Sequence, residues 1–300
     1  MSSFKQRFFS LNPLLLGALC LITAELCFAF VGALVKALSE DMTQSQLVFF
    51  RNASALIVIL PMLFKNGISG AKTTVKTERC SLHVFRALCG MVAMYGFFYV
   101  LSTMALAQAM MALLLAPFIV PIIARLWLKE RIDRKSTVAI FIGFAGVAVI
   151  LLNDPNASAQ VDWLPIAVAI GCATLVATTK CSIRKLTDTE PSLRIVFYFT
   201  AIATVISLVP MMVNWAPLLT TVIPGLVAMG LLAAVGQLLM TRAFKYASPV
   251  KIGLLSYSSI IFAAIIGAIV WQEPITLPLI LGSVFVIWAA NMTIRQRWFW

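Results

Sequence analysis

Apolar residues in this chain come in long runs rather than in alternation. Ten stretches, near 13–38, 46–64, 84–101, 105–127, 136–152, 163–183, 194–213, 219–241, 250–271 and 277–294, carry almost no charge and are separated by short polar gaps. A helix needs roughly 20 apolar residues to cross the hydrocarbon of a bilayer. Each run is near that length, so the pattern predicts an all-α integral membrane protein with ten transmembrane helices. Between 84 and 127 only Ser102 and Thr103 mark a gap, but a run of that length demands two crossings.

The placement of basic residues tests this count. All Lys and Arg except Lys36, Arg51, Arg125 and Lys180 fall at the two termini, in every second gap, or just inside the helix that follows. The gaps between hold Glu40, Asp41, Asp154, Asp162 and Glu273 and no basic residue. Positively charged loops stay on the cytoplasmic side. The alternation therefore predicts cytoplasmic N- and C-termini, and an error of one helix would scramble it. Trp163, Trp271, Trp298 and Trp300 fall at the predicted membrane surfaces, where interfacial aromatics belong.

Composition agrees with lipid as the solvent. The chain is 61% hydrophobic and 11% charged, with mean hydropathy +0.99, whereas soluble domains carry about 25% charged residues. The net charge of +12 is then a matter of cytoplasmic loops and anionic headgroups, and nucleic acid is not the expected partner. Six cysteines form no CxxC and no Cys/His cluster, and His83 is the sole histidine. Neither a metal site nor a disulfide is indicated. The first run is too long for a signal-peptide core and lacks a cleavage site, so it is expected to be a retained helix.

The chain repeats itself. With Glu130 laid on Glu273, Ile123-Ala124-Arg125-Leu126-Trp127-Leu128-Lys129-Glu130 faces Ile266-Gly267-Ala268-Ile269-Val270-Trp271-Gln272-Glu273. Ala139 then meets Gly282 and Gly146 meets Ala289; nearer the start of each half, Pro61-Met62 meets Pro210-Met211 and Lys36 meets Lys185. The expected units are 13–152 and 163–294. Each has five helices, an odd number, so the second is inverted in the membrane. Lys129 and Arg131 flank the first hinge, and uncharged Gln272 and Pro274 flank the second, as inversion requires. Inverted repeats underlie alternating access, with substrate held near the midplane.

These features resemble the drug/metabolite transporter superfamily, in its ten-helix branch built from two EamA-type repeats. The carrying residues are Phe50-Arg51, Pro117, Trp127-Leu128-Lys129-Glu130-Arg131, Gly143-Phe144-Ala145-Gly146-Val147, Trp271-Gln272-Glu273-Pro274 and Leu281-Gly282. The family hinge usually has glycine before its glutamate; Lys129 and Gln272 stand there instead, and Ile260 stands where a second-half counterpart of Pro117 would be. The resemblance covers about 14–292. It implies secondary transport of a small organic solute in a bacterial cytoplasmic membrane, without ATP or a prosthetic group. It leaves the substrate open, because one scaffold serves many solutes.

Glu25 is the sharpest candidate for chemistry. It lies in the middle of the first helix between apolar flanks, and a carboxylate at that depth usually faces the bundle interior or an aqueous path. It is expected to bind a cationic group or to carry a proton; the bland alternative is a protonated, hydrogen-bonded packing residue. Arg51, one turn into the second helix, is a candidate for an anionic group, against snorkelling to headgroups. Lys36, Arg125 and Lys180 are read as snorkelling, and His83 as a solvated interface residue. Tyr95 and Tyr99 share a helix face and, with Met91, form a candidate aromatic wall. Tyr198, Tyr257 and Ser256 are candidate lining residues from the second half, and Gln108 and Gln237 candidate path residues. Pro117 and Pro121 are candidate flexing points in the fourth helix. Glu130 and Glu273 are hinge or gating candidates.

Three functions compete. A secondary transporter fits every feature. A membrane-embedded enzyme would want HExxH, GxSxG or paired intramembrane aspartates, none of which is present. A channel would want a carbonyl filter or rings of acidic residues. Within transport, one mid-depth carboxylate favours an amino acid, amine or related cationic or zwitterionic solute, with protons as a possible coupling ion. A larger ring such as a vitamin or nucleotide-like compound, held by aromatics and Arg51, is the alternative. Small-residue patterns pack helices within a chain as well as between chains, so they assign no oligomeric state.

Overall fold

The computed structural model describes residues 12–67, 73–103, 115–130, 132, 134–152, 163–272 and 277–294, and these are almost wholly helical. In chain order the helices are α1 (Pro13–Leu38), α2 (Gln44–Leu63), α3 (Cys80–Thr103), α4 (Ala116–Ile123), α5 (Arg134–Leu152), α6 (Trp163–Leu186), α7 (Ser192–Val213), α8 (Ile223–Tyr246), the short α9 (Pro249–Ile252), α10 (Ser258–Val270) and α11 (Leu277–Ile294). A π turn, Ala124–Leu128, extends α4, and a 3-10 segment, Gly253–Tyr257, joins α9 to α10. Seven spans are long and apolar enough to cross a membrane, one of them running from Pro249 through α9 and α10 to Val270. Shorter apolar helices lie within 116–128, 137–146 and 280–289.

Local chemistry explains where the helices begin. Asn12 accepts a hydrogen bond from the Leu14 amide at 3.1 Å, and Pro13 needs no donor partner at the first helical position. Thr43 and Gln46 form a reciprocal capping box at the start of α2. The Ser248 hydroxyl caps α9 by accepting from the Val250 amide at 3.1 Å.

The packing is reciprocal between the two halves of the chain. α1 packs along α8, and α6 packs along α3; α2 meets α8 as α7 meets α3; α1 meets α10 as α6 meets α4. The remaining large contacts, α5 with α11 and α2 with α7, join corresponding members. Exchanging halves therefore returns the same set of major contacts. At the junctions small residues let helices close up. A Cβ on Gly230 would strike Ser54, and one on Gly236 would come within 2.8 Å of the Phe28 ring.

Those contacts also fix depth along the bundle. Gly17 lies against Ala243 and Ala247, Phe28 against Gly236, and Leu38 against Gly225. α1 and α8 therefore run antiparallel with Glu25 level with Leu238. On the other side, Gly96 lies against Cys172, while Trp127 touches both Phe85 and Lys185. α3 and α6 are thus antiparallel too, and Arg86 is level with the turn of α6 that follows Lys180.

Candidate functional site

Glu25 is 7% exposed, on the face of α1 that carries the buried Leu21 and Ala24. Its carboxyl faces Lys180 and the Ser256 hydroxyl, the two groups that act on its charge. Lys180 Nζ donates to Ser256 Oγ at 2.8 Å. A hydroxyl can accept one bond and donate another, so Ser256, which accepts from the ammonium, keeps its own proton for the carboxylate beside it. Three separate elements meet here: α1, α6 and the 3-10 segment. The tighter winding at Gly253–Tyr257 leaves carbonyls that the Ser258 and Ser259 hydroxyls cover, bonding Leu255 O at 2.7 Å and Ser256 O at 2.8 Å. Lys180 therefore does not snorkel: it is buried and directed inward. Its ammonium gains more from Ser256 and Glu25 than its stem could gain by reaching a headgroup.

A second charge is buried about one helical turn nearer the basic end. Arg86 is 1% exposed. It donates to Gln237 Oε1 at 3.2 Å and to the Ile195 carbonyl at 3.4 Å, and its guanidinium lies 4.3 Å from the centre of the Phe199 ring. His83, one turn earlier, is also 1% exposed and stacks on Tyr198 at 4.5 Å. His83 is thus not a solvated residue: α7 covers it. Tyr198 belongs to the same contact, its hydroxyl donating to Val75 O at 3.0 Å, so it closes the basic end of the bundle instead of lining an interior path. Gln237, on the α8 face beside this pair, is the inner partner of Arg86.

Arg51 lies farther along. Its Nη1 donates to Met94 Sδ at 3.2 Å, and Met94 is about 12 Å beyond Arg86 along α3 at 1.5 Å per residue. Arg51 Nε and the Tyr95 hydroxyl are buried without a hydrogen-bond partner among the described residues. Tyr95 and Tyr99 do share a wall with Met91. Together with Val92, Val168 and Ile206 they line an apolar groove of 530 Å³ between α3, α6 and α7. Several lining side chains, Leu88, Val92 and Leu164 among them, are exposed on the outside of the bundle, so the groove opens toward lipid. Tyr257 is not among the residues that line this groove. It is fully buried among Ala139, Ile140, Leu254 and Ala289, with Gly143 against its ring.

The hinge residues form a clasp at the basic end. Glu130 accepts a hydrogen bond from Ser248 and lies 3.6 Å from Arg184 Nε. Arg184 in turn donates to Phe244 O at 3.1 Å. One carboxylate so joins the ends of α4, α6, α8 and α9. Pro121 lies inside α4, just before the π turn, and Pro117 is in the first described turn of that helix. A second clasp uses Glu190 in the α6–α7 turn, which bonds Thr77 at 2.6 Å and Arg194 at 2.5 Å. Burial would raise the Glu190 carboxyl, but the bonds from Thr77 and Arg194 prevail and hold it below the ordinary carboxylate value. At the opposite end Lys36 Nζ lies 4.3 Å from the Trp271 ring centre, and Gln46 donates to Ala216 O at 2.6 Å. Gln108 and Glu273 lie outside the described residues.

Sequence reasoning singled out Glu25 and Ser256 but read Lys180 as snorkelling and His83 as solvated, and counted Arg86 with a basic gap; the structure buries all five. The available signal was depth: Lys180 and Arg86 stand about one and a half turns inside their helices, farther than a headgroup contact needs.

The chain is similar to several known proteins. A pseudopaline exporter of Pseudomonas aeruginosa is 28% identical over 288 residues, covering 94% of this chain and 96% of the exporter. A riboflavin transporter of Vibrio cholerae is 25% identical, covering 77% and 76% of the two chains. An S-adenosylmethionine uptake transporter of Rickettsia bellii is 25% identical, covering 84% of each. A solved crystal structure shares the fold, with a TM-score of 0.79 at 16% identity over 92% of this chain and 95% of that one. Residues 15–152 and 163–295 each match the EamA-like transporter family. A transporter family whose members span the membrane many times accounts for the apolar helices. This chain is a multi-pass membrane protein and belongs to the EamA-like transporter family.

Proposed function

We propose that this protein is a secondary active transporter of a small zwitterionic metabolite, moved by alternating access through two inverted five-helix repeats, 13–152 and 163–294. In this reading ten helices cross the membrane and both termini are cytoplasmic. The observation that carries it is the Glu25–Ser256–Lys180 link in the bundle interior. A carboxylate alone would suit a simple amine. Here Lys180 already balances Glu25, so a bare cation would leave that ammonium buried and unpaired, at a cost of several kcal/mol. A solute with both an ammonium and a carboxylate can replace each partner in turn: its amine takes Glu25, its carboxylate takes Lys180. Burial and pairing thereby become the recognition chemistry. The reciprocal packing of the halves supports the repeat, and the two clasps at the basic end supply contacts that one access state makes and the other breaks. A proton on Glu25 is a natural competitor for the solute amine, which would couple the two fluxes.

The relatives' names fit this class in part. S-adenosylmethionine contains an amino-acid zwitterion. Riboflavin does not, and the groove with Tyr95 and Tyr99 is where a ring compound would be sought.

The test is counterflow in liposomes with labelled amino acids, amines, nucleosides and vitamins. Native protein is expected to exchange a zwitterion and to discriminate against the matching decarboxylated amine. Glu25→Gln and Lys180→Met are each expected to destabilise by about 3 kcal/mol, because each leaves one buried partner unbalanced. The double variant recovers most of that stability yet exchanges nothing. Exchange at the native rate by the folded double variant would sink the assignment. A ring compound exchanged in preference to every zwitterion would replace the substrate class.

A further inference from the structure

The Glu25–Lys180 link is balanced in charge; its neighbour is not. Arg86 is all but fully buried, yet no carboxylate among the described residues forms an ion pair with it. What it has are two long bonds to neutral oxygens and the face of Phe199. Among the described residues its Nε has no hydrogen-bond partner, and neither ring nitrogen of His83 has one. The two residues are three apart on α3 and so share a face. They lie against consecutive aromatics of α7, Tyr198 under His83 and Phe199 under Arg86. A guanidinium buried in a membrane bundle without a counter-charge is expensive, and donors left unpaired beside it add to that cost. The Gln237 amide oxygen accepts from one prong of the guanidinium fork, the position in which a carboxylate oxygen would bind more strongly.

Depth connects this place to the zwitterion site. Gln237 is one residue from Leu238, the position level with Glu25, and Arg86 is level with the α6 turn that follows Lys180. Packed helix axes are about 8–10 Å apart. Lys180 and Arg86 are therefore separated by about one interaxial spacing across the bundle and about one helical turn along it, a reach that one extended solute can cover.

We infer that Arg86, assisted by His83 and exchanged against Gln237, is an anion subsite, and that the transported zwitterion carries a second carboxylate remote from its amino-acid end. The inference rests on the zwitterion reading above and narrows it to α-amino diacids and their N-substituted relatives. In the resting arrangement Gln237 accepts from Arg86; in the loaded one the remote carboxylate accepts from both Arg86 and His83, and Gln237 turns away. The excess buried positive charge is then neutralised only when the correct solute is aboard, so a neutral amino acid binds without that gain.

The test is equilibrium binding to the purified full-length protein in detergent, using α-amino diacids of increasing length from aspartate to 2-aminosuberate, each beside its ω-amide. At one chain length the acid is expected to bind native protein at least about tenfold more tightly than the amide. Arg86→Gln removes that preference while amide binding stays within about threefold of native. Arg86→Lys keeps a reduced preference, since a point charge replaces a fork, and it guards against a glutamine variant that fails to fold. Equal binding of acid and amide at every length overturns the subsite, as does an absence of binding by the whole series. So does an Arg86→Gln protein with a native melting temperature that loses acid and amide alike. The two proposals fail separately. If Glu25→Gln leaves binding unchanged while the acid–amide gap persists, the zwitterion reading falls and the anion subsite stands.

Discussion

Lys129 and Gln272 stand in corresponding hinges, and both have φ of 55°, the left-handed region. L-residues enter that region at roughly 1–2 kcal/mol, a cost glycine escapes. Lys129 ends the π turn there, and the chain reverses toward Glu130 without a glycine. The absence of the family's glycine was visible in the sequence; that the backbone keeps the glycine conformation regardless was not. Lys129→Gly and Gln272→Gly are each expected to raise the melting temperature in detergent, by a stabilisation of about 1 kcal/mol after the glycine's own entropy is counted. A drop would mean that the lysine or glutamine side chain contributes more than the strain costs. Other residues divide in the same way. Glu25 announces itself by depth, because an isolated carboxylate in an apolar run has few tolerable surroundings. Lys180 gives the opposite impression, since a lysine near a helix end usually reaches water. Its contact with Ser256 joins residues far apart in the chain, and no local pattern encodes that.

Elements were easier to place than their interruptions. The first helix runs over Pro13–Leu38, as the apolar run and the Asn12-Pro13 start dictate, and the ends of α2, α5, α7 and α11 fall within a few residues of their runs. Apolar periodicity is a strong signal for such helices. The breaks were less legible. The run 250–271 reads as one helix, yet Gly253–Tyr257 winds as 3-10 and delivers Ser256 to the buried charges. The π turn after Pro121 is similarly invisible in hydropathy. The α6–α7 turn shows how an element boundary carries its own stability. Its Glu190 carboxyl is held below its ordinary value of 4.5. A depressed carboxyl contributes stability that is present above the unfolded value and is lost as pH falls through the folded one. Native protein is therefore expected to melt higher than Glu190→Gln at neutral pH, with the gap closing below 4.5. A gap that persists undiminished to about pH 3 would show that shape, not charge, holds the clasp.

Across the whole molecule, the separation of charge gives the clearest commitment. The basic gaps gather Lys65, Lys129, Arg184, Lys185 and Lys245, while Glu40 and Asp41 lie at the far ends of the helices that lead to them. In a cysteine-free background, a cysteine placed at Asp41 is expected to react with a membrane-impermeant maleimide in intact cells. Cysteines placed at Lys129 and Lys185 react only after the membrane is opened. Labelling of Lys185 and Asp41 from the same side would overturn the inverted arrangement.

The linear sequence determined the solvent, the class of structure and the positions of most helices, because hydropathy and loop charge act residue by residue and need no partner. It also indicated the internal repeat, since the same local instructions occur twice. Only the tertiary structure decided which buried charges meet. Lys180 faces Glu25 through Ser256, while Arg86 and His83 meet Gln237 and the aromatics of α7. The energy of a buried charge depends on what surrounds it in space, and in a bundle those surroundings come from helices that the sequence keeps far apart.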